Sequence, residues 1–439
     1  MVSRHLILTA NELTWLNNKP VLFLGDWCIK YNKEESLRDL DYETVSYHWS
    51  NRSKLLKDYI FLQEVYEYFL ALLTKELNEI HQLSYSPSYW RVLLGPWLNS
   101  FICIVFDRWK MLQKALNDYE NLSVTILKES NDVLAPKDML EFSQLISTDN
   151  WNQLLYQDLI ENFFKSEFLI NEVIDENINR SFLAENSRKV TVWKGLLKGI
   201  SNYFNRLLVR ENEVFLFSVN LSVLSKFLLQ IKLGQIPKFW STDEILIKEL
   251  EKAKRNLQLK VRKKEDFFLV LEKIIPKHMP IVYLEGFKAL KDLIKKQHWP
   301  KNPRSIITSD AFGFNDIFKA WAAKKVEEKI PLIISQHGGH YGIGSFSATE
   351  DHELKISKKY LTWGWNKTSF DNIESIGMLS RLNQIISYDK KGYILLVQTT
   401  VPRYSYRMYS VPIASQWLGY FEDQIEFVSS LPELTQSKE

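Results

Sequence analysis

At 439 residues the chain is too long for one ordinary hydrophobic core, so it is expected to divide into two or more domains. Its 45% hydrophobic and 25% charged content excludes a disordered chain, and a net charge of +3 with a pI near 8.4 lends no support to nucleic-acid binding. The two cysteines, Cys28 and Cys103, lie in apolar runs without a CxxC or Cys/His neighbour, so they read as buried thiols of a reducing compartment rather than zinc ligands.

The opening MVSRHLILTANELTW has one short apolar run and no small-residue cleavage site, so no signal peptide is expected. A strand at 6–9 and a buried strand at 20–25 follow. The second ends in Gly25-Asp26-Trp27, which makes Asp26 and Trp27 candidate crevice contacts, with helix capping the alternative for Asp26. Residues 53–80 place Leu56, Ile60, Val65, Phe69 and Leu73 at helical spacing. A turn at 85–90 leads into an aromatic helical region at 91–117, which Pro96 is expected to break or kink. Arg91 and Trp97 there are candidate cleft residues, with a core helix pair as the alternative. The most apolar stretch, 92–106, is interrupted by Gly95, Pro96, Asn99 and Ser100 and falls short of the ~20 residues of a spanning helix. A soluble cytoplasmic protein is therefore expected. The 14 Trp, 20 Tyr and 25 Phe residues suit an aromatic core, or in part the stacking of sugar rings or bases.

Further along, strands are expected at 123–127, 213–217 and 281–284. Helices are expected at 136–146, 151–164, 190–209, 221–233, 288–296 and, with an N-cap signature at Ser241-Thr242-Asp243-Glu244, from 241 to about 257. The basic run 252–264 suits an anionic lipid or glycan surface, or simply a solvated helix end. Glu285 follows a strand and is a candidate second carboxylate. Residues 305–344 read as strand, loop, helix, strand, loop: a βαβ crossover whose strands end at Asp310 and His337, so both side chains should border one crevice. After a polar loop come a strand at 360–364, a connection at 366–382, a buried strand at 392–398 and a helix at 411–421. Arg403, Tyr404, Tyr406 and Arg407 form a basic, aromatic loop suited to a nucleotide phosphate.

Strands alternating with helices imply an α/β fold with a largely parallel sheet. The expected organisation is a large, helix-rich, Rossmann-like domain over 1–365 and the start of a second Rossmann-like domain over 366–439. The second domain is expected to be incomplete, as in a C-terminally truncated chain, because its edge strand would otherwise lack neighbours.

Asp310 beside a glycine-bearing loop suits a general base, or a nucleophile toward an anomeric carbon, with helix capping the alternative. The loop 336–344 holds Gly338, Gly339, Gly342 and Gly344, which let backbone amides approach an anion, and His337 and His340, which can stabilise a phosphate or move a proton. No carboxylate or thiol nearby completes a metal site with the two histidines, so no metal is expected. The sequence contains no P-loop, GxSxG, HExxH or GxGxxG pattern.

Taken together, LILTANELTW…PVLFLGDWC, SPSYWRVLLGPWL, TSDAFGFNDIFKAW, SQHGGHYG and TTVPRYSYRMYSVPIASQW resemble the bacterial transferases of O-antigen and surface-carbohydrate biosynthesis clusters, over residues 6 to about 430. More distantly, the pattern is similar to GT-B glycosyltransferases of capsule and lipopolysaccharide assembly, including those that use CMP-Kdo. The resemblance implies a nucleotide-sugar donor, CMP-linked among the options, and a glycan or lipid-linked acceptor. It further implies no cofactor or obligatory metal, no nucleic acid, and peripheral contact with the cytoplasmic face of the inner membrane. By position it makes Asp310 the catalytic carboxylate and sets His337 facing the donor phosphate or reacting sugar. The residue pattern itself adds Glu285 as a second catalytic candidate, Gly338, Gly339, His340, Arg403 and Arg407 as candidates for the donor phosphate, and Asp26, Trp27 and Arg91 as acceptor-side candidates. An inactive remnant or acceptor-binding module, and a polyol-phosphate transferase using a CDP-activated donor, remain open alternatives.

Overall fold

Short runs of large apolar residues form most of the strands, and the burial of the inner ones fits parallel sheets covered on both faces by helices. In the computed structural model, β1 (Arg4–Ile7), β2 (Val21–Phe23), β3 (Tyr42–Thr44), β4 (Leu122–Lys128) and β5 (Leu169–Ile174) make one parallel sheet in the order β3-β2-β1-β4-β5. This is the strand order of a Rossmann-like half, with the reversal between β1 and β4. A second parallel sheet, ordered β10-β9-β8-β7-β6, comprises β6 (Val214–Leu216), β7 (Ser305–Thr308), β8 (Leu332–Ser335), β9 (Lys359–Thr362) and β10 (Ile373–Ser375). The structure describes residues 3–16, 19–30, 37, 40–128, 135–174, 205, 207–242, 255, 257–381, 387, 389, 392, 393, 395–399 and 401–432.

The helices among these residues are α1 (Arg52–His81), α2 (Pro87–Asp118), α3 (Met139–Leu145), α4 (Asp149–Leu159), α5 (Val223–Lys232), α6 (Asp266–His278), α7 (Phe287–Lys296), α8 (Ala311–Phe314), α9 (Asp316–Glu327), α10 (Ala348–Ile356) and α11 (Gln416–Ser430). α2 organises the molecule. It packs against α1, which precedes it, and against α9 and α10 from the second sheet's half of the chain. It is also the one helix among the described residues long and apolar enough to cross a membrane, yet 83% of its most apolar window is buried inside the protein. Its apolar character therefore has a sufficient cause in this double-sided packing.

Most of the aromatic surplus is core. Phe215, Trp299, Trp321 and Phe318 cluster beneath β6, with ring centroids of Phe215 and Trp321 4.6 Å apart and those of Trp299 and Trp321 5.2 Å apart. A buried ionic cluster then fixes α9. Asp316 accepts from Tyr283 Oη at 2.7 Å and from the Met139 amide at 2.7 Å, and lies 2.8 Å from Lys319 Nζ. Both charged side chains are wholly inside.

Three expectations are corrected. α2 runs unbroken through Pro96. Proline disfavours helix partly by clashing with the Cβ of the residue before it, and that residue is Gly95, which has none. Residues Ile281–Tyr283 form a 3-10 turn, not a strand. The amides of Ile281 and Val282 bond the carbonyls of Pro136 and Lys137 at 2.9 and 3.0 Å, so a loop takes the partners a sheet would have offered. The strand expected at 392–398 is absent from both sheets at its described positions, and Tyr393, Leu395 and Val397 are exposed. The boundary expected near residue 365 falls between β9 and β10 of the second sheet, and the central βαβ unit supplies two strands of that sheet. The helices expected at 190–209 and from 241 to about 257 lie largely outside the described residues. In the basic run, Arg255 is engaged by Glu285 while Lys260, Arg262, Lys263 and Lys264 are exposed.

Candidate active site

β7 and β8 pair in parallel, with Thr308 opposite Ile334, so the residues just after each strand emerge side by side. The two strand ends are locked by Ser309 Oγ, 2.6 Å from Ser335 Oγ and accepting from the Asn220 amide at 2.9 Å. Asp310 and His337, each two residues beyond its strand, both line a cavity of about 200 Å³. The opposite wall is one face of α2, carrying Pro96, Asn99, Ser100 and Cys103 at i, i+3, i+4 and i+7. Phe312, Met139, Thr349, His352, Arg407 and Met408 complete much of the lining. The cavity therefore lies at the carboxyl ends of the second sheet's strands, against the helix both halves share, where α/β proteins commonly bind ligands.

Asp310 precedes α8, but its carboxylate makes no capping hydrogen bond there. It accepts instead from Ser218 Oγ at 2.5 Å, across from the end of β6. His337 is 28% exposed at its side chain. Burial lowers its basicity, Asp310 opposes that, and His340 and Arg407 lower it further. His340, half-buried beside Tyr341, is likewise made less basic by burial and by Arg407. Gly342 is the glycine the loop requires: its φ is +78°, and a Cβ would stand 2.4 Å from the Trp365 ring.

Arg407 is carried by a strap, residues 403–410, anchored along its length. Arg403 donates to the Trp27 carbonyl at 2.5 Å and to both oxygens of Asp149 at 2.8 and 3.0 Å. Arg108 donates to the Ser405 carbonyl at 2.9 Å, the Ala348 amide to the Met408 carbonyl at 3.1 Å, and Arg52 to the Ser410 carbonyl at 2.6 Å. Arg407 itself lies over the Tyr406 ring at 4.9 Å and faces the cavity.

Two further histidine and thiol groups border the cavity. His352 on α10 is 5% exposed, and neither ring nitrogen has a hydrogen-bond partner. Burial lowers its pKa to about 3, so it is a neutral imidazole at ordinary pH. Gly95 of α2 makes room for it, since a Cβ there would come within 2.6 Å of its ring. Cys103 has its thiol pushed up to about 12 by burial, which leaves it protonated and unreactive as a nucleophile at neutral pH. Among the described residues no three His, Cys, Asp or Glu side chains converge as a metal-binding group.

The remaining candidates sit elsewhere. Glu285 receives Arg255 through two hydrogen bonds of 2.7 and 3.1 Å and does not line the cavity. Trp27 is buried, its Nε1 donating to the Leu8 carbonyl at 3.1 Å, and Asp26 opens a short 3-10 turn beside it. These two and Arg403 gather near the first sheet's strand ends, and none of the three lines the cavity. Gly338 and Gly339 stand in the histidine loop but outside the cavity lining.

Arg91 is committed to Glu67 through bonds of 2.9 and 2.7 Å, and Lys355 of α10 reaches the same carboxylate at 2.9 Å. Burial pushes Glu67 up, but these partners outweigh it and hold the group down at about 2. Its folded pKa is thus depressed, so its contribution is complete above about 4.5 and fades as pH falls toward 2. Urea midpoints of the wild type and Glu67→Gln should differ at pH 7, draw together as pH falls below about 4.5 and nearly meet by pH 2. A gap of constant size across that range would contradict this assignment.

Sequence reading passed over α10, taking 345–359 for a polar loop. The signal was present: Ser347 caps the helix, its Oγ accepting from the Glu350 amide, and Ser347 with Glu350 is the S-x-x-E pattern of a helix start.

Two Rossmann-like parallel sheets, with a largely apolar cavity at the strand ends of the second into which Asp310, His337 and Arg407 project, define an α/β protein. The chain belongs to the LIC12162 family of transferases, whose family model matches residues 4–438, and it is a transferase on that ground. No curated protein and no solved structure matches it.

Proposed function

We propose that the protein is a glycosyltransferase of bacterial surface-polysaccharide assembly, moving a sugar from a nucleotide donor to a glycan or lipid-linked acceptor in a GT-B-like arrangement at the cytoplasmic membrane face. The observation that carries the reading is the meeting of a carboxylate, an imidazole and a guanidinium, Asp310, His337 and Arg407, around one cavity. Glycosyl transfer needs these elements: a base to take the acceptor hydroxyl proton, and positive or donor groups to hold the departing phosphate. Asp310 is the base, oriented by Ser218. Arg407 holds the phosphate by charge-assisted hydrogen bonds, with His337 and His340 beside it.

The test is incubation of the purified chain with CMP-, CDP-, UDP- and GDP-activated sugars and a lipid-linked glycan acceptor, followed by product masses. A mass gain of one glycosyl unit supports the reading. A gain of a polyol phosphate would replace it, and no binding of any nucleotide in a thermal-shift series would end it. Arg407→Ala should weaken nucleotide affinity by about 10- to 100-fold, the worth of one charge-assisted hydrogen bond, without changing the melting temperature of the free protein. Unchanged affinity would remove Arg407 from the donor site.

A further inference from the structure

Next to His337 and outside the cavity lining is a carboxyl group that the proposed chemistry does not use. Glu353 of α10 is fully buried. Tyr341 Oη lies 2.5 Å from its Oε1, donating to the ionised carboxylate and accepting from the protonated carboxyl group, and Tyr360 Oη donates to its Oε2 at 2.8 Å. The same Tyr341 hydroxyl stands 3.3 Å from His337 Nε2, and His337 Nδ1, buried and without a hydrogen-bond partner, is 3.9 Å from Glu353 Oε2. Nε2 therefore faces this cluster, while the ring also lines the cavity. No arginine or lysine pairs with Glu353 among the described residues. A carboxyl group buried without a counter-ion is costly unless it keeps its proton.

We propose that Glu353 is a positioning residue for His337, which orients the imidazole through Tyr341 and exchanges a proton with it along that hydroxyl. The exchange is balanced. The proton on Glu353 Oε1 passes to Tyr341 Oη as the tyrosine's own proton passes to His337 Nε2, giving a carboxylate and an imidazolium with Tyr341 unchanged. On the reading of His337 as a group that serves the departing phosphate, Glu353 is the internal source from which its proton is restored.

The electrostatic surroundings agree with a proton held in store. Burial dominates at Glu353 and raises its pKa to about 8, although the Tyr341 and Tyr360 hydroxyls favour its ionised form; Glu350 raises it and Arg407 lowers it. At His337 burial lowers the pKa, with Asp310 opposing and His340 and Arg407 reinforcing. Lys367 is engaged by Glu350. Near neutral pH the pair thus carries one proton, on the carboxyl group.

The experiment is a pH titration of the full chain labelled at its histidine rings, followed by nuclear magnetic resonance, for the wild type, Glu353→Gln and Tyr341→Phe. His337 is assigned by loss of its signals in His337→Ala. In the wild type its ring signals should show two steps, one below pH 6.5 from its own protonation and one near pH 8 as Glu353 ionises. The upper step should vanish in Glu353→Gln, which keeps the volume and two polar atoms, and shrink in Tyr341→Phe. A single step in the wild type, or an upper step that survives Glu353→Gln, overturns the proposal. The readout needs no substrate, so it fails or succeeds independently of whether the protein transfers sugars.

Discussion

Asp310→Asn is expected to lower turnover by about 10²- to 10⁴-fold, the range general base catalysis supplies, while leaving donor affinity within a few-fold of wild type. The substitution keeps the shape of the side chain and its capacity to accept from Ser218, whose Oγ now donates at 2.5 Å. What it removes is the ability to take a proton. The carboxylate makes no helix cap, so its loss should not unfold α8. His337→Ala should give a smaller loss of about 10²-fold, because the imidazole supports the departing phosphate beside Arg407 and does not take the acceptor proton. Ser218→Ala tests orientation. It should cost less than Asp310→Asn, since it frees the carboxylate without abolishing it. Rates are to be measured by single-turnover product formation. Near-normal turnover of Asp310→Asn would take Asp310 out of the mechanism and leave the cavity as a binding site alone.

How Asp310 and His337 came to share a cavity was legible in the sequence because the relation is local. Two short apolar runs separated by one helix-length segment form a βαβ unit, and consecutive parallel strands expose their ends on the same side. The spacing alone placed both residues, and β7 and β8 pair as required. The far wall was not legible. Pro96, Asn99, Ser100 and Cys103 reach the cavity from α2, more than two hundred residues away, by packing that no local pattern encodes. The same limit explains Arg91, Arg403 and Glu285. Each has the charge a substrate site wants and each is paired, with Glu67, Asp149 and Arg255 respectively, and such pairing across the fold is invisible in a single chain of letters. The parallel strands β3, β5 and β10 escaped notice for another reason. Their residues are substantially exposed, and so lack the continuous apolar run that marks a central strand.

The largest stability effect is expected at Arg108, which ties the strap to the core. Its side chain is 1% exposed. It pairs with the equally buried Asp107, donates through Nε and Nη2 to Asn152 Oδ1 at 3.1 and 2.8 Å, and donates to the Ser405 carbonyl at 2.9 Å. Asp107 also accepts from Tyr47 Oη at 2.8 Å and lies 3.0 Å from His48 Nε2. Arg108→Met leaves Asp107 without its main counter-charge in the interior, a loss of about 3–5 kcal/mol that should appear as a lower urea midpoint at unchanged slope. Arg108→Lys should not restore it, because one ammonium cannot span three acceptors held in a planar fork. The double variant Asp107→Asn/Arg108→Met should recover a substantial part, since removing both charges removes the unpaired one. The consequence reaches the cavity. Ser405 is two residues from Arg407, so Arg108→Met should also weaken nucleotide binding, whereas Arg407→Ala weakens it with stability intact. An Arg108→Met protein as stable as wild type would show that the strap is held by its other anchors, among them Arg403, Tyr404, Arg52 and the Ala348 amide.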